Sequence, residues 1–172
     1  ATGTNVARTY EIGDASTYTP LDVSFASVST AGNLTAVTTA GDHADIANSG
    51  INSAKSVNRF WTLTNSGIVF TSYSSTFTFV AGDLDFAAYT GAFVVAEKST
   101  GTWTLPTVGT KTGTSTQATG MTVVGDYQVG ESGSATAKTW DGGASTNNWG
   151  DANNWNPDGV PASTDDVSLT GA

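Results

Sequence analysis

Apolar side chains in this sequence recur at every second residue, and no stretch repeats them at i, i+3, i+4, i+7 over three turns. A chain patterned this way buries its apolar atoms by forming strands with one face toward a shared interior. Val6, Arg8, Tyr10 and Ile12 alternate with Ala7, Thr9 and Glu11, and Leu21, Val23 and Phe25 share one side of the next run. The stretch NLTAVTTA (33–40) is a weaker strand, joined to the preceding one through a tight turn at Gly32-Asn33. Residues 41–56 show neither period and are rich in turn formers. They predict a long surface loop, either functional or tied down by Ile46 and Ile51.

The densest apolar part follows, in VNRFWTLTNSGIVF (57–70), STFTFVAGDLDF (75–86), GAFVVAEK (91–98) and TWTLPTV (102–108), and these segments should supply the core. Asn65-Ser66-Gly67 and Lys98-Ser99-Thr100-Gly101 read as hairpin turns. GTKTGTSTQATG (109–120) suits an exposed or edge strand with Lys111 deterring edge pairing. MTVVGDYQVGE (121–131) reads as the last strand of the block, bulged near Gly125. About eight or nine short strands at such spacing predict an all-β, antiparallel two-sheet sandwich, Ig-like or jelly-roll, over residues 1–132.

Composition narrows the function classes. Hydrophobic residues make up 38% and charged residues 12%, with Thr, Ser, Gly, Asn and Ala filling the rest and helix formers scarce. That profile belongs to all-β extracellular proteins. No cysteine is present, so disulfides and thiolate chemistry are excluded. A formal net charge of −9 with six basic residues argues against nucleic acid as a partner. No apolar run has the length of a bilayer span. The sequence opens on Ala without a basic-then-apolar leader, and the expectation is a chain processed or excised from something longer.

After Glu131 the character shifts. SGSATA is a small-residue linker, followed by a turn-rich coil that carries Trp140, Trp149 and Trp155 among Gly, Asn, Asp, Ser and Thr. Val167 and Leu169 flank Ser168 in one short terminal strand, and a lone strand lacks ladder partners. Residues 133–172 are therefore expected to be a linker and an extended arm whose final strand pairs with a neighbouring subunit or module.

SVNRFWTLTNSGIVFTSY (56–73), TGTWTLPTVGT (100–110), GDYQVGE (125–131) and the tail from Thr139 to Leu169 together resemble modules repeated in very large surface proteins of Bacteroidetes-type bacteria. In those proteins a W-x-G-G…W…NW…P…DDV stretch links one β-module to the next. The resemblance implies a secreted, surface-exposed repeat with adhesive or structural duty and no catalysis. This chain departs from such giants in being one unit long.

Residues with catalytic potential are few. His43 is the sole histidine, in a polar loop between Asp42 and Asp45, where a surface imidazole is the plainer reading. No G-x-S-x-G elbow occurs, and carboxylate pairs such as Asp83 with Asp85 or Asp126 with Glu131 arise in any acidic protein. Calcium is the one cofactor the tail would suit. Asp151, Asn153 and Asp158 lead a group of oxygen ligands that includes Asp141, Asn156, Asp165 and Asp166, although the EF-hand order is missing. The same residues serve equally as turn formers. The three tryptophans either stack on sugar or clamp the coil against a neighbouring surface; each buries about 150–250 Å², and the clamp accounts better for their wide spacing. The expectation is an extracellular, cell-surface structural protein. Its copies would join head to tail into a homopolymer by strand addition through Trp140, Trp149, Trp155, Val167, Leu169, Val6 and Tyr10. A carbohydrate-binding or adhesion module with surface glycans as partners is the alternative.

Overall fold

A computed structural model describes residues 1–133, 138–161 and 167–169. The chain divides into two compact units, 1–132 and 133–172. In the first, eleven strands run in the order β1 (Gly3–Tyr10), β2 (Leu21–Thr30), β3 (Asn33–Ala40), β4 (Ile51–Ser66), β5 (Val69–Phe70), β6 (Tyr73–Thr78), β7 (Phe93–Ser99), β8 (Thr102–Thr104), β9 (Thr107–Lys111), β10 (Ser115–Met121) and β11 (Asp126–Ser132). They form a sheet ordered β1-β2-β6-β10-β9, with β5 paired to β2, and a second sheet ordered β3-β4-β11-β7-β8, antiparallel throughout.

The alternation explains the packing. Leu21, Val23 and Phe25 on β2 and Tyr73 and Phe77 on β6 face Trp61 and Leu63 on β4, Phe93 and Val95 on β7, and Tyr127 and Val129 on β11; all are at most 4% exposed. Trp61 meets Phe77 edge to face with ring centroids 5.3 Å apart, and Phe77 lies 4.9 Å from Tyr127. Each such aromatic removes about 150–250 Å² from water, worth several kcal/mol at about 25 cal/mol per Å². This is the all-β sandwich that the period-two pattern predicts.

Four local expectations need correction. The irregular stretch after β3 ends at Gly50, because β4 is a single sixteen-residue strand beginning at Ile51. Ile51, Ser56 and Val57 are buried while the exposed Ser53 and Ala54 hide the alternation. The turns at 31–32 and 66–67 do not close hairpins: β2 and β5 belong to one sheet, β3 and β4 to the other, so both turns cross between layers. Asn65 manages the second crossing with its side chain, which accepts from Ile68 N at 2.9 Å and donates to Ile68 O at 2.8 Å. The Thr-rich stretch 109–120 divides: Gly109–Lys111 ends the edge strand β9 as expected, while 115–121 is an inner strand between β6 and β9, since Thr116, Ala118 and Met121 turn into the core. Finally, the irregularity of β11 lies at Gly130, where a Cβ would stand 2.6 Å from Ile51 Cγ2 and 2.8 Å from Ser56 Cα.

Residues 133–172 form a unit of their own. β12 (Lys138–Trp140) pairs antiparallel with β13 (Trp155–Asn156) and parallel with β14 (Val167–Ser168), and a 3₁₀ turn spans Ala152–Asn154. The expected extended arm with an unpaired terminal strand is thus corrected, because β14 finds its ladder partner inside the same unit. Trp155 is fully buried, with Trp140 edge-on at 5.1 Å and Trp149 at 4.6 Å. Asn154, also fully buried, accepts from Ala144 N at 3.0 Å and donates to Thr146 O at 2.9 Å and Asn148 O at 3.1 Å. One amide side chain thereby satisfies the backbone of a coil that has no ladder.

Candidate functional site

The outer face of the five-stranded sheet carries a polar and aromatic constellation. Cross-strand register sets Val37, Thr62, Asp126, Lys98 and Trp103 in one row across β3, β4, β11, β7 and β8. Residues 41–50 lie over the Asp126–Lys98–Trp103 part of this row, held by Ile46 packed with Ile51 and Ala96, and by His43 N donating to Gln128 Oε1 at 2.9 Å. The His43 ring sits edge-on between Phe60 and Trp103, with both centroids 5.1 Å away. Its Nδ1 accepts from Asp45 N at 3.0 Å, so the neutral ring carries its proton on Nε2 and donates it to Asp126 Oδ2 at 3.3 Å. Thr62 Oγ1 donates to the other Asp126 oxygen at 2.7 Å.

The order is therefore Thr–Asp–His, with the carboxylate in the middle. A nucleophile-base system needs the imidazole between hydroxyl and acid. His43 has instead used its one basic nitrogen to hold the loop. Asp45 is fixed by Lys98 Nζ at 2.6 Å, by Asn48 and by Trp103 Nε1 at 3.0 Å. The Lys98 ammonium, seconded by Asn48 and Trp103, keeps its carboxyl well below the usual range.

A second cluster lies at the end of the sandwich interior. Glu97, 5% exposed, follows Phe93 and Val95 on the inward face of β7. Tyr127 Oη lies 3.1 Å and Tyr73 Oη 3.4 Å from Glu97 Oε1, and the two phenols touch each other. Tyr73 spends its proton on Val123 O at 2.7 Å, and Gly125 N donates to Tyr127 at 3.2 Å. Burial pushes the Glu97 carboxyl up, with the two tyrosine hydroxyls opposing it, and burial raises both phenols.

The carboxylate pairs that the sequence suggested separate into different partnerships. Asp83 binds Arg59, through Nε at 2.9 Å and Nη2 at 3.2 Å. Asp85 accepts from Ser56 N at 2.8 Å and Asn58 Nδ2 at 2.8 Å. Glu131 accepts from Tyr89 N at 2.7 Å, away from the Asp126 partnership with His43 and Thr62. Asp42 Oδ1 and Asp85 Oδ2 both reach Ser56 Oγ, at 2.9 and 3.1 Å. One hydroxyl proton cannot serve both oxygens, and burial, opposed by the Ser56 bond and aided by the Asp85 charge, raises the Asp42 carboxyl.

In the second unit Asp151 caps the 3₁₀ turn, accepting from Asn153 N at 3.4 Å, and receives the Thr146 hydroxyl at 3.1 Å. Asn153 is exposed, and Asp158 contributes its backbone carbonyl to Lys138 Nζ at 3.0 Å. Among the described residues no group of three or more His, Asp or Glu is placed to hold a metal ion. Asp165 and Asp166 lie outside the described residues. Of the seven expected interface residues, Val6 and Tyr10 pack on the sandwich core, Trp140 and Trp155 on each other, and Trp149, Val167 and Leu169 stay 50%, 39% and 69% exposed.

Sequence reasoning missed Arg59, Glu97, Tyr73 with Tyr127, and Asn154. The first two had a signal: Arg59 sits two residues from Val57 and Trp61, and Glu97 two from Val95, so period two already turned both inward. Compared with protein-family models, with curated proteins and with solved structures, the chain has no match.

Proposed function

We propose that this chain is a non-catalytic structural building block of an extracellular fibre or cell-surface layer. It would act as a repeat of the kind found in large secreted surface proteins, with modules or copies standing head to tail. The observation that carries the reading is the self-sufficiency of residues 133–172. A segment that closes around Trp155 and pairs its own β14 makes the chain two successive β units, which supports reading it as part of a run of such units. The polar groups of the first unit support it further. His43, Asp45, Arg59 and Asp83 each direct their hydrogen bonds to fixing loops on the sandwich. In this reading the join between copies does not need a donated β14, which pairs with β12.

Glycan adhesion is the second reading, favoured by Trp149, whose ring is half exposed beside Trp155. Negative-stain imaging and sedimentation of the purified protein, with and without chelator, test the first. Ordered head-to-tail arrays are expected. A monomer that binds a glycan saturably, and loses it with Trp149→Ala, would replace the structural reading with the adhesive one.

A further inference from the structure

The sandwich has four sheet edges, and three carry a device that deters pairing. On β1 the ladder skips Asn5, which has a left-handed φ of 51°, Gly3 has a φ of 127°, and Arg8 adds a charge. On β9 there are Lys111 and a register shift against β10. β8 is three residues long. β3 has none of these. Its eight residues, NLTAVTTA, contain no charge and no proline, and pair with β4 from Asn33↔Ser66 to Ala40↔Arg59 without a break. Among the described residues β4 is its sole strand partner. A long, regular, uncharged edge is a template for another strand.

We infer that β3 is a homotypic contact, at which two copies of this chain join edge to edge, antiparallel, into one continuous ten-stranded sheet. The occupant follows from the strand's own pattern. Thr35, Val37 and Thr39 are exposed, while Leu34, Ala36 and Thr38 turn inward. A two-fold axis at Val37 sets Val37 opposite its twin and Thr35 opposite Thr39 on the outer face. On the inner face it sets Leu34 opposite Ala40. β-branched and hydroxyl pairs of this kind stabilise cross-strand contact, and like charges opposite one another oppose it. A chain of net charge −9 must keep its carboxylates apart to associate with itself. In this register Asp42 of each copy falls beside Gly32 of the other, at opposite ends of the contact. Such a contact is isologous and closed. It therefore ties two chains side by side, and stands or falls independently of any head-to-tail order.

The test uses the whole chain, which has no cysteine to interfere. Val37→Cys is expected to form a disulfide dimer under mild oxidation, because directly opposed strand residues meet the Cα spacing of a disulfide. Val69→Cys, 54% exposed on β5, stays monomeric under the same conditions. Val37→Lys, at a half-exposed position that leaves the core untouched, weakens dimerisation in sedimentation velocity by about tenfold or more, with an unchanged circular dichroism spectrum. A wild-type chain that is monomeric at every accessible concentration overturns the inference. So does association that survives Val37→Lys, or equal cross-linking of the two cysteine variants.

Discussion

Trp155→Ala is the sharpest test of whether residues 133–172 hold themselves together. Trp155 is fully buried with Trp140 and Trp149 packed against it, and its Nε1 donates to Trp149 O at 3.0 Å. Truncating a buried Trp to Ala costs about 3–5 kcal/mol, and the orphaned carbonyl adds to that. At about 0.05–0.15 kcal/mol per residue, a forty-residue unit has a total stability of only about 2–6 kcal/mol. The substitution therefore removes most or all of it. Residues 1–132 are a compact unit with a buried core of their own, so their stability should be unchanged. Amide hydrogen exchange read by mass spectrometry separates the two: protection over 138–161 collapses in the variant, while β2, β4 and β11 exchange as in the wild type. Limited proteolysis should then release a stable fragment ending near residue 132. Should the variant keep its protection in 138–161, the tryptophan cluster is not what orders the tail.

Other consequences are accessible to standard measurements. Arg59 is 1% exposed and bridges Asp83 and Asp14, so Arg59→Ala strands the Asp83 carboxylate and lowers stability to urea by about 3–5 kcal/mol. Adding a methyl at Gly130 drives a Cβ against Ile51 and Ser56 on β4, and Gly130→Ala should cost about 1–3 kcal/mol in thermal or chemical unfolding. The raised Glu97 carboxyl binds its proton more tightly in the folded state, so its contribution is full below the ordinary carboxylate range. That contribution is lost as pH rises through the raised value, and Asp42 acts in the same sense. Glu97→Gln should flatten that decline in stability-versus-pH curves; an unchanged slope would mean that burial does not raise the carboxyl. Asp14 works the opposite way: Arg59, then the Ser16 amide, lower it to about 2. Its contribution, present above the ordinary carboxylate value, disappears as pH falls toward 2, and Asp14→Asn should shrink that acid limb to the part that Asp45 supplies.

Period-two alternation made the strands and most of the core legible, because side-chain direction in a strand is fixed by parity alone. Parity says nothing about which sheet a strand joins. Gly32-Asn33 and Asn65-Ser66-Gly67 have the composition of hairpin turns, yet both carry the chain across the sandwich. A turn's residues set its local angles, whereas the layer is chosen by where Phe25, Phe70 and Tyr73 can pack together. Parity also assigned Arg59 and Glu97 to the interior. Their polarity hides them from a reading that looks for apolar residues, and each becomes tolerable only through partners distant in sequence: Asp83 for one, Tyr73 and Tyr127 for the other.

The tail shows a different limit. Its strands are two or three residues long, too short for alternation to register, and its order comes from aromatic contact and from the four hydrogen-bonding sites of Asn154. The three tryptophans expected to clamp the coil against a neighbouring surface pack on one another. The β12–β13 ladder sets Trp140 directly opposite Trp155, and the Trp155 Nε1 bond to Trp149 O holds Trp149 beside it. A core of three rings is enough for a unit of this size only if the backbone between them is satisfied, and Asn154 does that for residues 144, 146 and 148 at once. Asn154→Leu, near in volume, should therefore disorder the coil as thoroughly as loss of a tryptophan. If hydrogen exchange in 138–161 instead stayed slow in that variant, aromatic packing alone would suffice, and the amide would be dispensable.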